Sequence, residues 1–92
     1  MSQVKNEHTG KIIAQVYPNH SRNIFNVELL SSGKKDLVMS LIDMSGHMLQ
    51  QKKLRCYEGR NLMSWDMNSY VAGIYFIVFE NLDSKMLKIV KE

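Results

Sequence analysis

The feature that most constrains this chain is an unbroken apolar run at residues 74–79, which follows Gly73 and ends at Glu80. Its residues are β-branched or aromatic, the types enriched in strands, and the run is short for a buried helix. In a strand with one solvent-exposed face, apolar and polar residues alternate, and in this run they do not. We therefore predict a central strand and expect two sheets to cover both of its faces.

The remainder of the chain contains further short strands separated by turn signals. Phe25, Val27 and Leu29 alternate with Asn26 and Glu28, as in a half-buried strand. Other candidates are residues 12–17, 37–44, 48–54, 61–67 and 85–91, and the polar residues of 48–54 indicate an edge position. About seven such strands predict an all-β fold, specifically an Ig-like antiparallel β-sandwich in two sheets.

The length of 92 residues allows one domain. Residues 1–11 are polar and without a period, which indicates a linker or leader remnant before a sandwich at residues 12–92. The start of the chain has no apolar core, so it is not a signal peptide. If the protein works outside the cytoplasm, we expect the chain to be a fragment or to have lost its leader.

The formal net charge is +3, and the basic clusters are Lys34-Lys35 and Lys52-Lys53-Arg55. Nucleic-acid binding is one interpretation of such clusters. Aromatic residues do not interleave with them to form a stacking platform. Solvated turns and charged strand edges explain them better, so we predict no nucleic-acid partner.

The residue types for catalysis are present but scattered. Cys56 is the one cysteine, and lone cysteines are more often small, partly buried fillers than catalytic thiols. His8, His20 and His47 lack metal-ligand spacing. Asp43 and Asp66 fit turn caps better than an acid/base pair. We predict no catalytic residue, no metal site, no cofactor and no enzyme activity.

Four motifs in order resemble those of one known family. Val16-Tyr17-Pro18-Asn19 is similar to an opening Tyr-Pro-Asn-Pro segment, with His20 in place of the second proline, and a short strand with Phe25 follows. Residues 37–46 are similar to an apolar strand that ends in Asp-x-x-Gly, here Asp43 to Gly46. The missing proline leads us to expect a less rigid first turn.

The other two motifs lie in the second half of the chain. Gly59-x-Asn61 leads through Asp66 and Tyr70 to Gly73-Ile74-Tyr75, and a lysine-flanked strand at residues 85–91 follows. Together the four resemble the type IX (Por) secretion system C-terminal sorting domain of Bacteroidetes. The motif residues carried over are Tyr17, Pro18, Asn19, Gly46, Gly73 and Tyr75.

This resemblance implies a non-catalytic domain that directs export of a cargo protein. The implied partners are the outer-membrane export machinery and a sortase-like peptidase. The implied location is the periplasm in transit, then the outer membrane, cell surface or medium. On this interpretation Lys85, Lys88 and Lys91 are recognition charges; alternatively they are outward positions flanking buried Leu87 and Ile89.

A function of another class fits the same fold. A free-standing Ig-like sandwich could bind protein or carbohydrate at the cell surface through its loops. Binding that depends on the turn residues His47 or Tyr57 would favour this alternative.

Overall fold

The computed structural model describes residues 12–80 and 86–92, and its regular elements are all β-strands. The predicted linker at residues 1–11 and the first residue of the strand predicted at residues 85–91 lie outside the described residues. Seven strands match predicted ones within a few residues at each end, and the two-residue β2 was not predicted. The strands are β1 Ile12–Tyr17, β2 His20–Ser21, β3 Ile24–Ser31, β4 Lys35–Asp43, β5 Met48–Cys56, β6 Gly59–Asp66, β7 Gly73–Phe79 and β8 Met86–Lys91.

The strands form two sheets. One has three strands in the order β1-β3-β6, and the other has five in the order β2-β8-β7-β4-β5. Their ladders are antiparallel except for the short parallel pair of β2 with β8. The predicted antiparallel β-sandwich in two sheets is confirmed. Within residues 12–80 and 86–92 there is no helix long and apolar enough to cross a membrane.

The core lies between the sheets and follows the strand period of two. Alternate residues of β3 point inward, as predicted, and so do Leu37, Met39 and Leu41 of β4, because successive side chains of a strand point to opposite faces. β5 is an edge strand, also as predicted. The buried apolar residues are Ala14, Phe25, Val27, Leu29, Leu37, Met39, Leu41, Cys56, Trp65, Met67, Tyr75, Ile77, Phe79 and Ile89.

Among the described residues, only one face of the central strand β7 is covered. It lies between β8 and β4, and Tyr75, Ile77 and Phe79 are at most 4% exposed. Its other three apolar residues are half-buried on the outside of the sandwich. The prediction that both faces are covered is therefore wrong, because a two-layer sandwich covers only the inward face of each sheet.

Polar residues close the side of the sandwich where β5 and β6 are the edge strands. The indole Nε1 of Trp65 donates a hydrogen bond of 3.1 Å to Oε1 of Gln50, and the Tyr70 hydroxyl donates one of 3.3 Å to the same oxygen. The Lys52 ammonium lies 4.6 Å from the centroid of the Trp65 ring. The polar residues of β5 thus cover a fully buried tryptophan, with the Lys52 stem contributing apolar cover.

Candidate functional site

The terminal strand β8 is built into the core. It pairs with β7 along its length, and Ile89 is fully buried while Leu87 is half-buried. Lys88 lies between them and is exposed. Ile89 is buried as the alternative interpretation expected, but Leu87 is only half-buried, and Lys91, expected to point outward, lies on the same side of the strand as Ile89. Removing the strand would also remove part of the core.

The Tyr17-Pro18-Asn19 motif leads the chain from one sheet to the other and ends beside β8. Tyr17 ends β1, the Tyr17–Pro18 peptide bond is cis, and β2 begins directly after Asn19. The N–H of Val90 donates a 2.9 Å hydrogen bond to the carbonyl oxygen of Asn19. The first and last motifs are therefore joined by a backbone contact.

A second set of contacts fixes the end of the chain. The N–H of Glu92 donates a 2.9 Å hydrogen bond to the carbonyl oxygen of Ser21. The Glu92 carboxylate lies 3.3 Å from Nδ1 of His20, so His20, at the second-proline position, contacts the terminal residue. β2 thus holds the last residues of β8 in place by pairing with them.

The structure separates the lysines that the sequence grouped. Lys88 is the cross-strand neighbour of Phe76 and lies on the same face of the sheet as Phe76, whereas Lys91 is the cross-strand neighbour of Gly73. Residues three apart on a strand point to opposite faces, so these two ammonium groups do not share a surface. Lys85 lies outside the described residues.

Gly46 has a structural role in the β4–β5 hairpin turn. Its φ is +90°, in the left-handed region that glycine adopts without a Cβ clash. Asp43, which begins the motif, accepts hydrogen bonds at Oδ1 from the N–H groups of His47 and Ser45, at 3.0 and 2.9 Å. The bond from the His47 backbone is the main reason why the pKa of Asp43 lies below its ordinary value. Asp66 caps in the same way through the Asn68 N–H, so both predicted turn caps are confirmed.

Gly73 and Tyr75 anchor the entry to β7. The Tyr75 ring is buried, and its hydroxyl donates a 2.5 Å hydrogen bond to the carbonyl oxygen of Val71. Its ring centroid lies 6.0 Å from that of Tyr70. Gly73 begins the strand with a φ of +158°. These residues hold the 67–72 loop onto the core.

Asn61 has a structural role that sequence reasoning did not assign. Its Oδ1 accepts a 3.0 Å hydrogen bond from the Tyr57 N–H, and its Nδ2 donates a 2.9 Å hydrogen bond to the Tyr57 carbonyl oxygen. The same Nδ2 lies 3.2 and 3.3 Å from the carbonyl oxygens of Gly59 and Leu29. One amide side chain thus holds the corner at which β5 leaves one sheet and β6 enters the other. The Gly-x-Asn spacing was the available signal, because an amide two residues beyond a glycine can bond the turn backbone.

The two basic clusters meet across the β4–β5 ladder, where Asp36 is paired with Arg55. Arg55 Nε donates a 2.9 Å hydrogen bond to Asp36 Oδ1, and this bond holds the pKa of Asp36 below its ordinary value. Lys52 also has a structural contact, since its ammonium lies over the Trp65 ring. Two of the basic residues in these clusters, Arg55 and Lys52, therefore stabilise the fold. That is the arrangement expected of charged strand edges.

The residues considered for chemistry are not assembled into a site. Cys56 is fully buried, and burial raises the pKa of its thiol. Within residues 12–80 and 86–92 there is no group of three or more His, Cys, Asp or Glu side chains that could hold a metal ion. His8 lies outside these ranges. His47 and Tyr57 flank opposite ends of β5, roughly 30 Å apart at 3.3 Å per residue, so they do not form one loop surface.

The outside of the five-stranded sheet carries apolar residues that the sequence had assigned to a covered strand. On β8, Ile74 is paired with Val90 and Val78 with Met86, while Phe76 between them is paired with Lys88. Ile42 of β4 lies on the other side of Phe76. The continuous apolar run was the sequence signal for this surface, but a run of that kind does not say whether protein or solvent covers the second face.

The fold and its motifs define a class before any comparison is made. This is a small β-sandwich whose distinguishing residues hold turns, corners and the terminal strand. Comparison with known families matches residues 15–92 to the secretion system C-terminal sorting domain, and the chain belongs to this family. The match includes all four motifs that carried the resemblance, from Tyr17-Pro18-Asn19 to the lysine-flanked strand at residues 85–91. Neither the curated proteins nor the solved structures contain a significant match.

Membership defines the general role. Domains of this family are C-terminal sorting signals for type IX secretion, so interaction with the secretion machinery in general follows, as does export to the outer membrane, cell surface or medium. The family is a sorting domain and not a catalytic one.

Proposed function

We propose that this chain is a non-catalytic sorting domain that directs an attached cargo through the type IX secretion system. The cargo passes through the periplasm and leaves at the outer membrane. The observation that carries the proposal is the family match over residues 15–92, which spans both sheets of the sandwich. The folded domain, with β8 clamped by β2, is the form presented to the export machinery.

Within this function, the lysines of the terminal strand are the recognition charges. Lys88 is exposed and has no ion pair with a carboxylate of the described residues, so its charge is available to a partner. Lys91 lies on the other face beside Gly73 and is half-buried. One flat partner surface cannot contact both, so the two charges act separately and Lys88 contributes more.

Export of a fusion tests the proposal directly. Residues 12–92 are placed behind a periplasmic reporter in a host with a type IX system, and the reporter in the medium and on the cell surface is measured. We expect export of the fusion and none after removal of residues 85–92. If the fusion remains in the periplasm while the domain is folded, the proposal is wrong.

The truncation needs a matched control because β8 contributes to the core. Ile89→Ala leaves every lysine in place but opens a cavity, at a typical cost of about 2–5 kcal/mol. Lys88→Glu and Lys91→Glu alter charge with little change in packing. If Lys88→Glu is exported as well as the unmodified fusion, the recognition role of Lys88 is refuted, although the sorting function stands.

A sortase-like peptidase that separates the domain from its cargo is the second implied partner. Cleavage in the polar segment before Ile12 would leave the sandwich intact. A reporter fused to residues 1–92 includes this segment, and mass spectrometry of the exported reporter should find a new carboxyl terminus before residue 12. Reporter that retains the complete domain would contradict this step.

A further inference from the structure

The five-stranded sheet has an apolar outer surface that no described strand covers. We call it the outer apolar patch. Met86 in it is 55% exposed, and its other members are half-buried. Its members are Ile42, Ile74, Phe76, Val78, Met86 and Val90.

Polar contacts set one boundary of the patch. Ser40 Oγ donates a 2.6 Å hydrogen bond to Glu80 Oε2, and Gln51 Nε2 donates one of 3.0 Å to the same oxygen. This carboxylate is therefore already engaged. The patch extends the other way, where Ile74 also lines a groove of about 430 Å³ beside the 67–72 loop. Met44, Leu49 and Val71 line the same groove, and Val71 is 79% exposed. The apolar surface is thus elongated along β7.

The size of the patch argues against a second copy of this chain as its main occupant. Three strands about 4.8 Å apart, with outward residues about 6.7 Å apart along each, give a surface on the order of 300 Å². Two such patches packed together would bury roughly 600 Å² in total, about half of the smallest area found in stable interfaces. A narrow segment of a partner fits this area better.

The charges beside the patch define that segment further. Lys88 is exposed next to Phe76, and Lys53 is exposed on the same face of β5. The carboxylates of this face are engaged: Glu80 by Ser40 and Gln51, and Asp36 by Arg55. Ser40 and Gln51 are neutral, so Glu80 keeps its charge, whereas Arg55 balances Asp36. Lys53 and Lys88 outnumber this one carboxylate, so the net charge of these residues is positive and two copies face to face would repel each other. Carboxylates on the occupant would complement this positive charge.

We propose that the outer apolar patch docks a segment of the export machinery whose apolar side chains are flanked by carboxylates. This inference rests on the proposed function. The segment lies along β7, its apolar side chains contact Phe76 and enter the groove beside Ile74, and a carboxylate pairs with Lys88.

Binding of the purified domain to outer-membrane vesicles from a type IX-competent host tests the proposal. Ile74→Thr/Val78→Thr keeps β-branched residues, and therefore strand propensity, while it makes the patch polar. Leu30→Thr/Leu62→Thr is the matched control, because these residues are exposed on the outside of the other sheet. Thermal unfolding verifies that both variants fold.

We expect saturable binding that the patch variant weakens at least about tenfold, a loss typical of a buried apolar anchor, while the control variant binds unchanged. Lys88→Glu should weaken binding, and added salt should weaken binding of the unmodified domain more than that of Lys88→Glu. Equal losses in the two threonine variants, no loss in either, or no saturable binding would each overturn the proposal.

Two further measurements separate the alternatives. If the patch variant is exported as efficiently as the unmodified fusion, the docking inference fails while the sorting function stands; if the unmodified fusion is not exported, the proposed function itself fails. Sedimentation of the purified domain tests self-association. A dimer that Ile74→Thr/Val78→Thr dissolves would identify a second copy as the occupant and overturn the proposal.

Discussion

The amide N–H of Val90 donates a 2.9 Å hydrogen bond to the carbonyl oxygen of Asn19 and so joins the terminal strand to the motif that begins the domain. The residues that follow Asn19 form β2, which is parallel to the end of β8. The two ends of the domain therefore stabilise each other. A change in the terminal strand should therefore loosen β2, and a change at Asn19 or in β2 should loosen the terminal strand.

Removing residues 90–92 should loosen β2 and lower stability. The deletion removes the bonds to the carbonyl oxygens of Asn19 and Ser21, each with a typical net value of about 0.5–1.5 kcal/mol. We expect the free energy of unfolding to fall by at least about 1–3 kcal/mol, because the pairing of Val90 with Ile74 and of Lys91 with Gly73 is lost as well. Urea unfolding measures it. Lys91→Ala, which keeps the backbone, is the control, and an equal loss in that variant would contradict the clamp.

The Tyr75 hydroxyl should contribute to stability separately from its ring. Tyr75→Phe leaves the buried ring in place but deprives the Val71 carbonyl oxygen of its donor. We expect a loss of about 1–2 kcal/mol, against about 3–5 kcal/mol for Tyr75→Ala, which also leaves a cavity. Thermal denaturation of the two variants makes the comparison. A Tyr75→Phe protein as stable as the unmodified one would show that the hydroxyl bond is not needed.

Asn61→Asp should destabilise the corner between β5 and β6 in a pH-dependent way. The carboxylate keeps the acceptor for the Tyr57 N–H but loses the donor, and it faces the carbonyl oxygens of Tyr57, Gly59 and Leu29. Those oxygens disfavour a negative charge, which raises the pKa of the new carboxyl in the folded state. The variant should therefore regain stability as the pH falls and the carboxyl is protonated.

Chemical denaturation at pH 4 and pH 7 measures this effect. Asn23→Asp is the control, because Asn23 is exposed and its contacts to Ser21 and Met67 are made by its backbone. A difference between the two variants that does not change with pH would refute the explanation by charge.

The Glu28 carboxylate should make the domain less stable in acid. A hydrogen bond from Arg60, followed by one from Gln15, lowers the pKa of Glu28 below its ordinary value of 4.5. A carboxyl whose pKa is depressed by folding contributes stability that is complete above the pKa of the unfolded chain and is lost as the pH falls through the folded value. The loss should therefore begin below about pH 4.5.

Glu28→Gln should flatten that acid decline, as measured by the midpoint of thermal unfolding between pH 3 and 7. Glu58→Gln removes one negative charge from an exposed turn residue and serves as the control. An acid decline that is the same in Glu28→Gln and Glu58→Gln would show that the Glu28 contacts do not cause it.

Much of the local structure was predictable because it depends on neighbouring residues. The alternation in β3 predicted its inward residues, Phe25, Val27 and Leu29, and all three are fully buried. The turn cap at Asp43 was predictable for the same reason, because an aspartate bonds the amides of the residues that follow it. These features were predictable because each depends on residues that are close together in the sequence.

The contacts that join distant residues were not predictable. Asn61 reaches the Leu29 carbonyl 32 residues away, and the pairing of β2 with β8 joins opposite ends of the domain. The error at β7 has the same origin. Its six apolar residues predict a central strand, but whether a second layer lies over the outer three depends on strands elsewhere in the chain.

The terminal lysines separate the two levels most clearly. We grouped Lys88 and Lys91 from the sequence, but the strand period of two by itself determines that residues three apart point to opposite sides. Only the tertiary structure decided that Lys88 is the one beside the outer apolar patch, since that depends on the pairing of Lys88 with Phe76 and on which face of the sheet meets the core. Side-chain alternation is a local property of the backbone, whereas the choice of buried face results from packing between sheets.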